Sequence, residues 1–251
     1  MRTISAAITL LAGLGQATVI ATAFAAGPQS PDRVAAGTAA PDRIGVVVAP
    51  SAAGAGQMAD GPWVPGSLMT PLRAGQSVPA GSVVRNLAGQ PFDLNGAISR
   101  QPTVLIFYRG GWCPYCNAHL RDLQGSEPAL RAMEYQILAV SSDPPAALRQ
   151  TLTGDHLSYT LLSDESLDVA AKFGLKYKVK PSVLEYLKKA HVDLVKQNGG
   201  YLLTPAAFIV DTRGTIRFAY TNTNYTVRVG QPALLAAARA ALKKPAPSDA
   251  P

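Results

Sequence analysis

Both cysteines of the chain, Cys113 and Cys116, lie in the stretch FYRGGWCPYCNAHL, residues 107–120. An apolar strand-like run precedes them and a helix-like run follows. If the helix starts at Pro114, that proline sits near the first helical position, where its missing N–H costs nothing. Cys113 then occupies the N-cap region, where unpaired backbone N–H groups and the helix dipole favour a thiolate. Cys116 sits one turn further in, on the same face and within disulfide reach. Arg109, at the strand end, adds positive potential at the same point. A thiolate beside a second thiol can attack a peroxide or a disulfide and then be resolved by its neighbour. A disulfide across so short a loop stabilises little, because loop-closure entropy shrinks with loop length. That favours a chemical reason for the pair.

Two other readings of these residues stay open. The cysteines can be small apolar core residues. Alternatively, Cys113, Cys116 and His119 recur every three residues and could face one side of a helix as metal ligands. Structural zinc normally takes four ligands, and the remaining histidines, His156 and His191, are at unsuitable spacing. Two thiolates and an imidazole would suit Cu(I). Pro205, in LLTPAAFIVD, is read most simply as the residue that opens a buried strand.

The elements that must position this chemistry can be read on either side of it. SVVRNLAGQPFDL predicts a strand, a turn and a second extended piece. TVLIFY, residues 103–108, and YQILAVSS, residues 135–142, are apolar, β-rich runs expected of strands buried on both faces. The helix from Pro114 to about Met133 is expected to be interrupted near GSEP. PPAALRQTLTG predicts a helix and YTLLSD a strand. SLDVAAKFG predicts a helix with Ser166 as N-cap and Gly174 at its end. Alternation at this spacing implies right-handed βαβ units around a parallel core. Residues 175–203 read as a basic, partly helical insertion, AAFIVDTRGTIRFAY as a hairpin, and PALLAAARAALKK as a last amphipathic helix.

The first 30 residues combine one basic residue, an apolar run and a small-residue end. Ala23-Phe24-Ala25 fits a cleavage site, with Ala26 as the new N-terminus. An uncleaved anchor over Ile4 to Ala26 is the alternative, but Thr, Ser, Gln and Gly dilute the run. We expect a signal peptide over 1–25, a flexible low-complexity segment over 26–66, one domain over 67–243 and a disordered tail over 244–251. No later run approaches membrane length, so a periplasmic or secreted protein with no stable membrane span is expected. The 251 residues are 47% apolar and 16% charged, ample for a hydrophobic core. The formal charge is +7, falling to +6 without Arg2. This excess is not interleaved with aromatics, which argues against nucleic acid as a partner. Lys172 to Lys196 reads as a solvated basic face with some capacity to steer an acidic partner.

VLIFYRGGWCPYCNAHLRDLQ, LAVSSDPP, YTLLSDESLDVAAKFG and TPAAFIVDTRGTIRFAYTNTNYTVR, with their spacing, resemble the peroxiredoxin-like redoxins. These belong to the alkyl hydroperoxide reductase/thiol-specific antioxidant family, and the resemblance covers roughly Leu68 to Leu242. It implies an α/β thioredoxin-like fold: a central mixed β-sheet flanked by helices, with a helical insertion before a strand led by a cis-Pro205. It implies a thiol-dependent peroxidase with a hydroperoxide substrate, a thioredoxin-like reductant and no cofactor or metal. Cys113 and Cys116 are then the catalytic pair and redox disulfide, with Arg109, Trp112, Thr204 and Pro205 shaping the site. Two departures bear on mechanism. Counting from the strand, Cys116 falls at the family's reactive cysteine, while Cys113 stands where the family has Thr and Arg109 where it has Pro. No Arg immediately precedes AAFIVD, where a peroxide-orienting charge is expected. GWCPYC is also similar to exported thiol–disulfide oxidoreductases, in which the first cysteine attacks, so that activity is the alternative.

Overall fold

A computed structural model describes residues 61–64 and 69–243. The expected leader, the tail and most of the expected low-complexity segment lie outside the described residues. Within that segment, Trp63 is buried against Tyr177 and bridges Val179, so the packed chain includes part of it.

The chain enters the sheet with the antiparallel pair β1 (Val83–Arg85) and β2 (Pro91–Asp93), and Asp93 caps α1 (Leu94–Arg100) through Asn95 N. β3 (Thr103–Tyr108) is buried at all six positions, as its apolar run requires. It leads into α2 (Pro114–Ala132), β4 (Gln136–Ser141), α3 (Pro145–Gly154), β5 (Thr160–Ser163) and α4 (Asp168–Lys172). β3, β4 and β5 pair in parallel. Then come β6 (Lys176–Lys178), α5 (Pro181–Lys189), α6 (Leu194–Asn198) and β7 (Tyr201–Leu203), with β6 and β7 forming a separate antiparallel ribbon. β8 (Ala206–Val210), β9 (Ile216–Thr221) and α7 (Gln231–Leu242) complete the described chain. The seven-stranded order is β2-β1-β5-β4-β3-β8-β9, a mixed sheet because β8 returns antiparallel to β3.

Alternation along β3 divides the core. Val104, Ile106 and Tyr108 pack with Leu120, Leu123 and Leu130 of α2, Leu148 of α3, and Leu234 and Ala238 of α7. Leu105 and Phe107 pack on the other face with Leu94 and Ile98 of α1 and Val169 of α4. The sheet is therefore covered on both sides, and β3, near its centre, delivers Arg109 and the cysteine loop. Among the described residues no helix is long and apolar enough to cross a membrane.

Three expectations are corrected. Pro205 is not cis: no cis peptide bond occurs among the described residues. It stands immediately before β8, whose pairing with β3 begins at Ala206 opposite Phe107. There its missing N–H forfeits nothing, and the trans form is the intrinsically favoured one by about 0.5–1 kcal/mol. α2 is not interrupted at GSEP but runs through Pro128. The loss is confined to one backbone bond, while Glu127 accepts from Arg131 Nε at 2.5 Å across the same turn. Ser166 does not cap α4. The N-cap is Leu167, at φ 60°, and the Asp164 carboxylate accepts from Val169 N at 3.2 Å and Ala170 N at 2.7 Å, while Ser166 Oγ donates to Asp168. Gly174 ends that turn as expected, at φ 70°, and a Cβ there would lie 1.9 Å from the Thr70 carbonyl oxygen.

Candidate active site

The backbone between β3 and α2 is shaped by its glycines. Gly110 has φ 152°, and a Cβ on it would meet Trp112 Nε1 at 2.3 Å and Asp143 Oδ1 at 2.6 Å. Gly111 N donates to Asp143 Oδ2 at 2.7 Å, and Asn117 Nδ2 returns to Gly111 O at 2.7 Å. Ser142 Oγ donates to Arg109 O at 2.9 Å. The loop is thus tied to the end of β4 and to the first turn of α2. Cys113 is the N-cap of α2, with Pro114 following it. Its carbonyl accepts from Cys116 N and Asn117 N.

Both sulfurs are buried, with Cys113 1% and Cys116 0% exposed, and both are free thiols. Cys113 is lowered from 9.0 to about 6, first because it accepts from the Cys116 thiol. The Arg109 charge, the Cys116 backbone N–H and Arg228 act in the same direction, against desolvation. Cys116 is pushed upward by donating to Cys113, by burial and by the Cys113 charge. The two shifts run in opposite directions, the Cys113 thiol downward and the Cys116 thiol upward, which favours the thiolate on Cys113.

Arg109 is 5% exposed and its Nε has no hydrogen-bond partner. Its guanidinium carbon lies 4.9 Å from the Trp112 ring and 4.4 Å from the Tyr225 ring. Each such contact contributes about 0.5–2 kcal/mol. Burying an ion costs several kcal/mol, so the aromatic faces offset only part of it, and the Cys113 thiolate supplies the opposing charge. Asp143 is 4% exposed, and burial raises its carboxyl from 3.8 to about 6 despite the Gly111 bond.

Sequence reasoning singled out Arg109, Trp112 and the two cysteines, and the structure gathers these four. Thr204 and Pro205 lie buried at the head of β8, and the Thr204 hydroxyl donates to Met69 Sδ at 2.8 Å. Sequence reasoning missed Asp143, Tyr225 and Arg228. Arg228 Nη2 reaches Cys116 Sγ at 3.5 Å from 112 residues downstream. The only trace of it in the sequence is a basic residue and a tyrosine in the loop after the hairpin. His119 is buried, and desolvation, reinforced by Arg228, lowers it to about 4. Among the described residues no three His, Cys, Asp or Glu side chains are grouped to hold a metal ion, so Cys113, Cys116 and His119 do not form a ligand set.

Comparison with known proteins agrees with this arrangement of the sheet and its helices. The model of the AhpC/TSA family matches residues 74–219. The putative peroxiredoxin bcp of Haemophilus influenzae is 28% identical over 107 residues, covering 43% of this chain and 68% of the relative. Peroxiredoxin Bcp of Escherichia coli K12 is 29% identical over 107 residues, covering 43% and 67%. Among solved structures, peroxidoxin BcpB from Mycobacterium tuberculosis superposes with a TM-score of 0.54 at 21% identity, covering 69% of this chain and 99% of that one. Reduced Prx3 in complex with H2O2 from Vibrio vulnificus gives 0.56 at 17% identity, covering 66% and 99%. At those identities the structural likeness speaks for the shared fold alone.

Proposed function

The chain belongs to the AhpC/TSA family and is a peroxiredoxin-type enzyme, and on that premise we propose that it reduces hydroperoxides through Cys113 and Cys116. The observation that carries this reading is a pair of buried, free thiols at the start of α2 beside the buried Arg109, with the Cys113 thiol shifted downward and the Cys116 thiol upward. The Cys113 thiolate attacks one peroxide oxygen. An S–O bond forms, the O–O bond breaks, and the departing alkoxide or hydroxide takes the Cys116 proton. The Cys116 thiolate then attacks the Cys113 sulfenic acid, forming the S–S bond and releasing hydroxide, which takes back from solvent the proton Cys113 lost on ionising. Two electrons pass from the thiol pair to the peroxide. A thioredoxin-like dithiol returns them by exchange.

Burial of both sulfurs favours a small oxidant over a protein disulfide as the first substrate. A peroxide needs only a narrow approach, whereas a protein disulfide must lie against the attacking sulfur. Stopped-flow oxidation of the reduced protein by hydrogen peroxide tests the reading. The rate constant is expected to rise through pH about 6 and level off near neutrality, following the Cys113 thiolate. Oxidation no faster than free cysteine, with rapid exchange against a dithiol substrate, would leave the thiol–disulfide oxidoreductase as the better reading.

We also propose that the enzyme works outside the cytoplasm, on the strength of the leader pattern ending at Ala25. The protein recovered from the periplasm or medium is then expected to begin at Ala26. An intact Met1 form confined to the cytoplasm would refute export.

A further inference from the structure

We infer that Tyr177, backed by Trp63, is a specificity-determining residue: its ring walls the approach to Cys113, admitting small oxidants and rejecting bulky ones. The inference rests on the proposed attack by Cys113 and adds the class of oxidant, hydrogen peroxide and short alkyl hydroperoxides.

The wall belongs to a module set apart from the main sheet. β6 and β7 form their own antiparallel ribbon, and upstream chain extends it along β6. Trp63 bridges Val179, Val64 N donates to Lys178 O at 2.8 Å, and Lys180 N donates to Pro62 O at 2.9 Å. With α5 and α6 these strands enclose a small apolar core in which Trp63, Tyr177, Val179, Leu187, Leu194 and Leu202 are buried. Tyr177 is 3% exposed, and Trp63 meets its ring edge-on at 6.0 Å. In so close-packed a core Trp63 takes the space into which the Tyr177 ring would otherwise turn.

That core is built onto the cysteine loop. Trp112 packs against it and also against the cluster that contains Cys113 and Cys116. Gln197 Nε2, from α6, donates to Ser142 O, and Ser142 Oγ in turn holds Arg109 O at 2.9 Å. Thr204 N, just past β7, donates to Leu175 O at 2.9 Å and closes the module at its base. The Tyr177 hydroxyl lies within reach of the site's charges. Burial pushes its pKa upward, the Arg109 charge opposes that shift, and Cys113, Cys116 and Tyr225 add to it. Tyr225 is also the ring stacked on Arg109, so Tyr177 and Tyr225 both border the same guanidinium. With Cys113 only 1% exposed, an oxidant reaches it past the side chains packed around it. Such a pocket discriminates by size, one methylene being worth about 10–200-fold.

The test compares oxidants of different bulk. Reduced full-length protein is mixed in stopped flow with hydrogen peroxide and, separately, with cumene hydroperoxide. Tyr177→Ala is expected to raise the ratio of the cumene hydroperoxide rate constant to the hydrogen peroxide rate constant at least about tenfold. Trp63→Ala raises it in the same direction, because the Tyr177 ring then has room to turn. Tyr177→Phe and Trp63→Phe keep a ring in each place and keep the wild-type ratio. A purely structural loss slows both oxidants alike and leaves the ratio unmoved. Tyr177→Leu, which keeps an apolar side chain on β6, covers the case of a poorly folded Ala variant.

A second readout needs no peroxide chemistry. Alkylation of Cys113, located by peptide mass, is expected to show the same opening: N-ethylmaleimide gains on the smaller iodoacetamide in Tyr177→Leu and Trp63→Ala, and not in the Phe variants. An unchanged ratio for Tyr177→Leu in either assay, or an equal rise in Tyr177→Phe, overturns the inference. Wild-type protein oxidised by both peroxides no faster than free cysteine overturns the peroxidase reading instead, and the alkylation ratio then decides the wall by itself.

Discussion

Cys113→Ser is expected to remove the fast oxidation by hydrogen peroxide, while Cys116→Ser keeps it and stops at a sulfenic acid. The reason lies in the opposite shifts of the two thiols. In Cys113→Ser the remaining thiol is the fully buried Cys116, which is not the low-pKa member of the pair. Burial still disfavours the Cys116 thiolate in that variant, so the ionised fraction and the oxidation rate are expected to fall. In Cys116→Ser the new hydroxyl can still donate to Cys113, whose thiolate also keeps Arg109 and the helix start. Oxidation then proceeds at a comparable rate, but no disulfide forms and turnover with a thioredoxin-like donor stops. Rapid-quench mass spectrometry distinguishes these species as one added oxygen or the loss of two hydrogens. The opposite pattern, fast oxidation only in Cys113→Ser, would move the attack to Cys116, the position matching the family's reactive cysteine.

Gly110→Ala is expected to be strongly damaging while leaving every chemical group of the site in place. At φ 152° the residue occupies backbone space that L side chains rarely adopt, and the added methyl overlaps Trp112 Nε1 and Asp143 Oδ1. Strain of about 1–3 kcal/mol and overpacking of about 1–3 kcal/mol give a loss of about 2–6 kcal/mol in unfolding free energy. Because Asp143 holds Gly111 N and Trp112 faces Arg109, the loop shifts as well as weakens. Chemical denaturation should show the stability loss. Peroxide oxidation in the fraction still folded should slow, with its pH dependence displaced upward toward an ordinary thiol. A variant of wild-type stability and pH profile would show that the loop tolerates a side chain at residue 110 and that its backbone is not what sets the thiolate.

Much of this was legible in the chain because it depends on local pattern. TVLIFY could only be a strand buried on both faces, and Pro114 after Cys113 marked the start of α2 within one residue. The hairpin of β8 and β9 followed from AAFIVDTRGTIRFAY. Errors arose where a distant group overrode a local signal. Ser166 is a good N-cap by type, but Asp164 reaches further and takes both N–H groups. GSEP looked like a break because propensity is summed residue by residue, whereas packing of Leu123 and Leu130 carries α2 through Pro128. The isomer at Pro205 was inferred from resemblance, and the simpler reading of a proline opening a strand was the correct one.

The sequence by itself placed the atoms we propose to react: two thiols one helical turn apart, at the end of a buried strand and beside Arg109. Spacing of that kind is fixed by helix geometry over four residues, so no long-range contact is needed to know it. Tertiary structure decided how charge and proton are divided between those thiols. That division depends on burial, on Arg109 between two aromatic rings, and on Arg228 arriving from the far end of the sheet. Electrostatic effects act through space over a few ångströms and depend on solvent exclusion. Residues 112 apart in the chain can therefore set one sulfur's reactivity without leaving a periodicity or motif to read.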